Sequence, residues 1–191
     1  MKRILAAILA LTLVTGSAFS FKPIDPIEHT LASIVLVQDT DPDSGEPTTC
    51  TGFVVAPHRA LTASHCIHDA AGFTVDGEPS VALKRDKYFA LVMVSPASGS
   101  KPALALAKRV RIGDRVYSFG FAWAMGMFTF GRGVASIKDG DFALDGPLAP
   151  GMSGGPVVNL AGEIVGINQA ANNVIGIVCG AGELREFIST P

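Results

Sequence analysis

Charge is scarce in this sequence. Asp, Glu, Lys and Arg make up 17% of its 191 residues, and there is one tryptophan, two tyrosines and three cysteines. Soluble domains average roughly 25% charged residues. Disordered chains are strongly charged and poor in apolar residues, so a chain that is 48% hydrophobic is not one of them. With a net charge of −2 there is no basic footprint for nucleic acid or for an anionic membrane. Neither a Gly-x-y period nor a heptad is present, which excludes collagen and coiled coil. No apolar run reaches the roughly 20 residues that cross a bilayer. Cys and His never adopt zinc-ligand spacing, so no metal and no cofactor are expected.

What is there begins with an address. Lys2 and Arg3 precede an apolar run from Ile4 to Val14, followed by the small residues Gly16, Ser17, Ala18 and Ser20. That order is the pattern of a secretory signal peptide over residues 1–20, cleaved after Ser20 or after Ala18, with an uncleaved anchor as the alternative. The expected destination is the periplasm or the exterior, where cysteines can oxidise. Without Lys2 and Arg3 the remaining chain carries about −4. Its length of about 170 residues suits one domain of two lobes, large enough to bury a core without added staples. An odd cysteine count leaves one thiol unpaired. Cys50 and Cys66 flank a short apolar stretch and are the expected disulfide. Cys179 falls in an apolar strand and is expected to be buried and inert.

The body reads as short strands between turn residues. Strands are expected at Ser33–Gln38, Thr51–Val55, Val81–Lys84, Tyr88–Val94, Val116–Phe121, Phe128–Ile137, Phe142–Leu144, Pro156–Asn159, Glu163–Asn168 and Val174–Val178. Asn159-Leu-Ala-Gly162 signals a tight hairpin. Helix is confined to a turn within Ala63–Asp69 and a terminal segment at Glu183–Ile188. Many short strands point to a sandwich or barrel. Ser95-Pro-Ala-Ser-Gly-Ser-Lys-Pro102 has linker composition and splits the body into halves of similar length.

Two segments carry chemistry. In Pro150-Gly-Met-Ser-Gly-Gly-Pro156 the glycines let the backbone turn tightly. Convergent N–H groups of Gly151 and Ser153 would hold a developing oxyanion while the Ser153 hydroxyl attacks. A plain glycine-rich turn is the alternative. A serine hydroxyl is a weak nucleophile and needs an imidazole to take its proton. His65 follows Leu61-Thr-Ala63 at a turn that a Cys50–Cys66 bridge would clamp. His29, His58 and His68 have no comparable setting and read as ordinary surface histidines.

Thr62-Ala-Ser-His-Cys66 and Gly151-Met-Ser-Gly-Gly-Pro156, in that order, resemble the trypsin-like serine protease superfamily. The succession Val116-Tyr-Ser-Phe-Gly-Phe121, Gly131-Arg-Gly-Val-Ala-Ser136 and Gly162-Glu-Ile-Val-Gly-Ile-Asn168 is similar to the HtrA-type bacterial branch. The resemblance covers residues 31–188, with no PDZ-like extension after them. It implies an all-β fold of two six-stranded antiparallel β-barrels, an N-terminal one at about 31–95 and a C-terminal one at about 103–188. The active site would lie in the cleft between them. It also implies a secreted serine endopeptidase, a monomer acting on protein or peptide substrates through an acyl-enzyme. Ser153 would be the nucleophile, His65 the base, and Gly151 and Ser153 the oxyanion hole. A catalytically silent module that binds peptides in the same cleft is the alternative.

The acid is the departure. The family's pattern places Tyr88 where its Asp belongs, and Asp86 comes two residues early in Lys84-Arg-Asp-Lys-Tyr88. On one strand, residues two apart share a face about 6.6 Å apart, so Asp86 is the candidate third member. The alternatives are a His65–Ser153 dyad, an acid borrowed from Asp69, Asp76 or Glu78, and loss of the acid altogether. Pro147 stands six residues before Ser153, so the resemblance gives no basis for Lys or Arg preference; a small or medium apolar side chain is expected. Asp145 is in the wrong register to line that pocket. Phe119, Phe121, Trp123, Phe128 and Phe130 read as core, with an apolar subsite as the alternative.

Overall fold

The computed structural model describes residues 25–171 and 175–190. The expected signal segment 1–20 and the expected strand start at Val174 lie outside them. Asp25 caps the first helix, its Oδ1 accepting the Ile27 N–H at 2.8 Å, and Pro26 at the first position fits because no amide is needed there. The order is then α1 (Pro26–Ser33), β1 (Ile34–Thr40), β2 (Pro47–Ala56), β3 (Arg59–Ala63), β4 (Thr74–Val75), β5 (Glu78–Pro79), β6 (Ala82–Arg85) and β7 (Phe89–Met93). A short α2 (Pro96–Gly99) leads to β8 (Arg115–Ala122), β9 (Gly126–Lys138), β10 (Asp141–Leu144), β11 (Pro156–Asn159), β12 (Ile164–Ala171), β13 (Gly176–Gly180) and α3 (Ala181–Ser189).

The all-β expectation holds, and the two lobes close differently. The second is a closed six-stranded barrel in the order β10-β13-β12-β11-β8-β9. The first is an open seven-stranded antiparallel sheet, β5-β4-β1-β2-β3-β7-β6. Its edge strands β4 and β5 are two residues each, too short to complete a ladder with β6. One backbone bond, from the Ala82 N–H to the Ala70 carbonyl at 2.9 Å, bridges the gap instead. The Asn159–Gly162 hairpin forms as expected: Asn159 Oδ1 accepts the N–H groups of Ala161 and Glu163, and Gly162 takes φ +79°.

Three apolar clusters follow from strand alternation. One fills the first lobe around Val35, Val54, Ile67 and Phe73, and one fills the barrel around Val116, Phe142, Leu144 and Val157. The third joins them. Phe53, Leu61 and Phe89 of the first lobe meet Phe119, Ile164, Ile167, Leu184 and Phe187 of the second. The lobes are therefore packed against each other through one shared core.

The segment with linker composition is tied down. Asp76 Oδ2 accepts Ser98 Oγ at 2.6 Å and Lys101 Nζ at 2.8 Å, and Lys101 also reaches the Ile34 carbonyl at 2.6 Å. Asp76 Oδ1 accepts the Leu36 N–H at 2.8 Å. Burial pulls the Asp76 pKa up, but the bonds from Lys101, Ser98 and Leu36 outweigh it and hold the carboxyl below its ordinary value. A depressed folded-state pKa stabilises the fold above the unfolded value near 3.9, and that contribution fades as pH falls through the folded value. Asp76→Asn is expected to lower Tm by about 2–4 °C at pH 7, with the gap to wild type closing in acid. Equal melting at pH 7 would show that the strap contributes nothing.

Candidate active site

β3 delivers the chain into a single 3₁₀ turn, Ser64–Cys66, that carries His65. Its neighbours fix the turn. The Ser64 N–H donates to the Tyr88 carbonyl at 2.8 Å, Ser64 Oγ donates to the Asp86 carbonyl at 2.6 Å, and Arg85 Nε donates to Ser64 Oγ at 2.9 Å. The expected disulfide is present: Cys50 of β2 bonds Cys66, with Cα atoms 5.9 Å apart. Closing a loop of this length is worth about 3 kcal/mol. A His65 ring nitrogen lies within 4.8 Å of both sulfurs. Those sulfurs are bonded to each other, so the trio is no metal site. The Cys66 Sγ is also 3.7 Å from the Ser153 carbonyl oxygen. Imidazole and serine loop thus flank the same disulfide.

The His65 ring makes no hydrogen bond among the described residues. One side is open to solvent, yet the surrounding atoms desolvate it enough to push its pKa below the ordinary value, and nearby His68 pushes in the same direction. His68 is held in place by Asp39, whose Oδ2 accepts the His68 N–H at 2.6 Å and stands 3.3 Å from its Nδ1.

The serine loop is built by backbone bonds. The Pro150 carbonyl accepts the Trp123 N–H at 2.7 Å. A trans peptide carries its N–H opposite its C=O, so the Gly151 N–H is turned away from Trp123. The Met152 carbonyl accepts the Gly155 N–H at 3.0 Å and Asn168 Nδ2 at 3.2 Å, which turns the Ser153 N–H the other way. Neither N–H finds an acceptor among the described residues. Glycine is required at two corners. Gly151 has φ +90°, and a Cβ there would sit 2.1 Å from the Phe121 carbonyl. Gly154 has φ +80°, and its Cβ would meet the Thr51 carbonyl at 2.2 Å.

Thr51 locks this loop to the first lobe. Its N–H donates to the Ser153 carbonyl at 2.8 Å, its Oγ1 donates to the Gly151 carbonyl at 2.8 Å, and the same Oγ1 accepts the Phe121 N–H at 2.9 Å. Thr62 Oγ1 in turn donates to the Thr51 carbonyl at 2.7 Å. Thr51 and Asn168 were not among the residues the sequence singled out. Asn168 is fully buried within β12, and a polar residue following the apolar run Ile164–Ile167 was the available signal.

No hydrogen bond or ion pair joins Asp86 to His65 among the described residues. Residues 86–88 do not continue a strand but form the turn between β6 and β7, so Asp86 and Tyr88 do not share a strand face. Asp86 Oδ1 accepts the N–H groups of Tyr88 and Phe89, each at 2.7 Å, and so caps its own turn. The groups that shift His65 include no carboxylate. Asp76 is committed to its strap, Asp69 Oδ1 accepts the Ala71 N–H, and Glu78 is exposed on the strand edge. The Tyr88 carbonyl accepts Gln169 Nε2 from the second lobe at 2.8 Å.

Other expectations resolve cleanly. Asp145 Oδ1 accepts the Gly133 N–H at 2.8 Å, on the β9 side of the barrel. Phe119 is fully buried, Phe121, Phe128 and Phe130 are half-buried, and Trp123 is 56% exposed, edge-on to Phe128. Cys179 is free and buried; burial first, then the charges of Asp141 and Glu183, push its thiol pKa far up, so the inert form persists.

A model of the trypsin-like peptidase domain matches residues 50–167. The probable periplasmic serine endoprotease DegP-like of Chlamydia pneumoniae is 29% identical over 163 residues, 76% of this chain and 32% of that one. The protein of the same description from Rhizobium meliloti is 30% identical over 134 residues, 62% of this chain and 27% of that one. The chain therefore spans about a third of the length of these curated relatives. The active form of the Rv3671c protease from M. tuberculosis superposes with a TM-score of 0.75 at 20% identity, over 98% of this chain and 93% of that one. The serine endoprotease from Yersinia pestis gives 0.74 at 21% identity, over 86% and 64%. At such identities the structural likeness concerns the fold, and it agrees with the family match: this chain belongs to the trypsin-like peptidase family.

Proposed function

We propose that this chain is an exported serine endopeptidase domain that cleaves peptide bonds through an acyl-enzyme on Ser153. The supporting observation is the pair of unpaired amides, Gly151 and Ser153, set opposite two pinned carbonyls beside the disulfide that His65 adjoins. Ser153 Oγ attacks the substrate carbonyl as its proton passes to His65. The two N–H groups receive the oxyanion. The imidazolium then returns the proton to the leaving amine, and water, deprotonated by His65, hydrolyses the ester. Among the described residues no carboxylate bonds to His65, which supports reading the machinery as a dyad. Turnover is expected to be lower than with a full triad, where losing the acid costs about 10⁴. A small or medium apolar side chain is the proposed preference, since Asp145 is bound to Gly133. The DegP-like relatives are described as periplasmic, which supports export, and no described helix is long and apolar enough to cross a membrane.

The missing carboxylate favours one second reading, a silent module that holds peptides in the same cleft. Labelling with a fluorophosphonate separates the two: the proposal expects wild type to label stoichiometrically and Ser153→Ala and His65→Ala to label little or not at all. Unlabelled, folded wild type would favour the silent module.

Because neutral imidazole is the working base and its pKa is depressed, kcat/KM should hold to lower pH than an ordinary histidine near 6.5 allows. His68→Asn removes one source of that depression and should move the acid limb upward; an unmoved limb would refute the coupling.

Asp86→Asn is expected to change turnover less than tenfold, against the orders of magnitude expected of a triad acid. Loss of about 10⁴ in that variant, with melting unchanged, would restore Asp86 to the mechanism.

A further inference from the structure

We infer that Asn168 is a positioning residue for the oxyanion site; the inference rests on the serine-protease reading above. Asn168 has no accessible surface, and neither does Ser118. A buried amide brings two donors and an acceptor that must all be met. Here they are met by groups around the nucleophile. Nδ2 donates to the Met152 carbonyl at 3.2 Å and the Phe119 carbonyl at 3.0 Å, while Oδ1 accepts Ser118 Oγ at 3.0 Å. The backbone of the same residue holds the other side of the loop: the Gly154 N–H donates to the Asn168 carbonyl at 2.8 Å, and the Asn168 N–H donates to the Gly155 carbonyl at 2.9 Å. Asn168 thus grips the residue before Ser153 with its side chain and the two after it with its main chain.

The consequence for chemistry lies in one peptide unit. The Met152 carbonyl and the Ser153 N–H belong to the same plane and point oppositely. Holding the carbonyl toward Asn168 holds the N–H toward the substrate. The Met152 and Phe119 carbonyls can only accept, so they take the NH₂ end of the amide, and the Ser118 hydroxyl satisfies the oxygen end. An aspartate would set acceptor against acceptor, and an aliphatic residue would leave the Met152 carbonyl with the Gly155 N–H alone. The peptide could then turn over and withdraw a donor from the oxyanion. Removing one such donor outright costs about 10²–10³ in rate, and a misaimed donor costs part of that.

The test uses a fluorophosphonate probe whose phosphoryl oxygen occupies the oxyanion position, with inactivation resolved into the maximal rate and the half-saturating concentration. Asn168→Ala is expected to slow the maximal rate by about ten- to hundredfold while half-saturation stays within about twofold. Ser118→Ala, which keeps the amide and its bonds to the carbonyls but leaves Oδ1 without the Ser118 hydroxyl and the side chain less tightly held, should give a smaller loss in the same parameter. Thermal melting and near-UV circular dichroism establish that each variant is folded. A folded Asn168→Ala that labels at the wild-type rate would overturn the inference, as would a loss confined to half-saturation. Should Asn168→Ala not fold, folded Ser118→Ala decides by the same criteria. Failure of wild type itself to label defeats the serine-protease reading and this inference with it, an outcome distinct from normal labelling by both variants.

Discussion

The candidate site depends on one buried threonine that belongs to the other lobe. Thr51 sits in β2 beside the disulfide, with no accessible surface, and it touches the serine loop through both its main chain and its hydroxyl. Away from water, each of these bonds is costly to break without replacement, because a buried carbonyl left unpaired loses its solvation entirely. The carbonyls of Gly151 and Ser153 are both committed to Thr51. With those of Pro150 and Met152 committed to Trp123 and Asn168, four successive carbonyls are fixed. Fixing the carbonyls fixes the amides. A loop that carries three glycines between Pro150 and Pro156 is thereby reduced to one conformation.

That constraint explains why the lobes share a core. Thr51 can clamp the loop only if β2 and β8 keep their separation. The cluster around Phe53, Leu61, Phe89, Phe119 and Phe187 supplies this by burying apolar surface from both lobes at once. The strap through Asp76, Ser98 and Lys101 acts at the far edge of the first sheet, where the ladder is open. The closed barrel has no free edge to secure. The open sheet does, and its edge is held by side chains instead of strands.

Much of this was legible in the sequence, for identifiable reasons. Strand periodicity is a local property, and Pro156–Asn159 and the Asn159–Gly162 hairpin appear where alternation and turn chemistry place them. The Cys50–Cys66 bridge followed from few cysteines and a short apolar spacer. What was not legible depended on closure and on polar side chains turned inward. Whether a sheet closes is decided by edge strands of two residues, below the length at which periodicity speaks. The cap made by Asp86 was hidden for a related reason: an Asx cap on a tight turn and a carboxylate on a strand share the same residue types, and the hydrogen bonds from Tyr88 and Phe89 are what reveal the cap. Helix α1 escaped because its signal, Asp25-Pro26, is a start without an apolar stripe of any length.

On the reading proposed here, the balance between the two halves of the machinery is unusual in its physical origin. A triad stabilises the imidazolium with a buried carboxylate, so the base can be charged cheaply at the moment of attack. His65 has instead a ring whose charged form is disfavoured by its surroundings and by a second histidine. Such a ring is neutral and ready over a wider range of pH, but it is a weaker proton acceptor in the transition state. The deficit falls on the other half. Donors held by Thr51, Trp123 and Asn168 need no reorganisation when charge develops on the substrate oxygen, and fixed dipoles in a water-poor setting contribute more than mobile ones. Around the serine loop four successive carbonyls are held by hydrogen bonds, whereas the imidazole ring has none among the described residues.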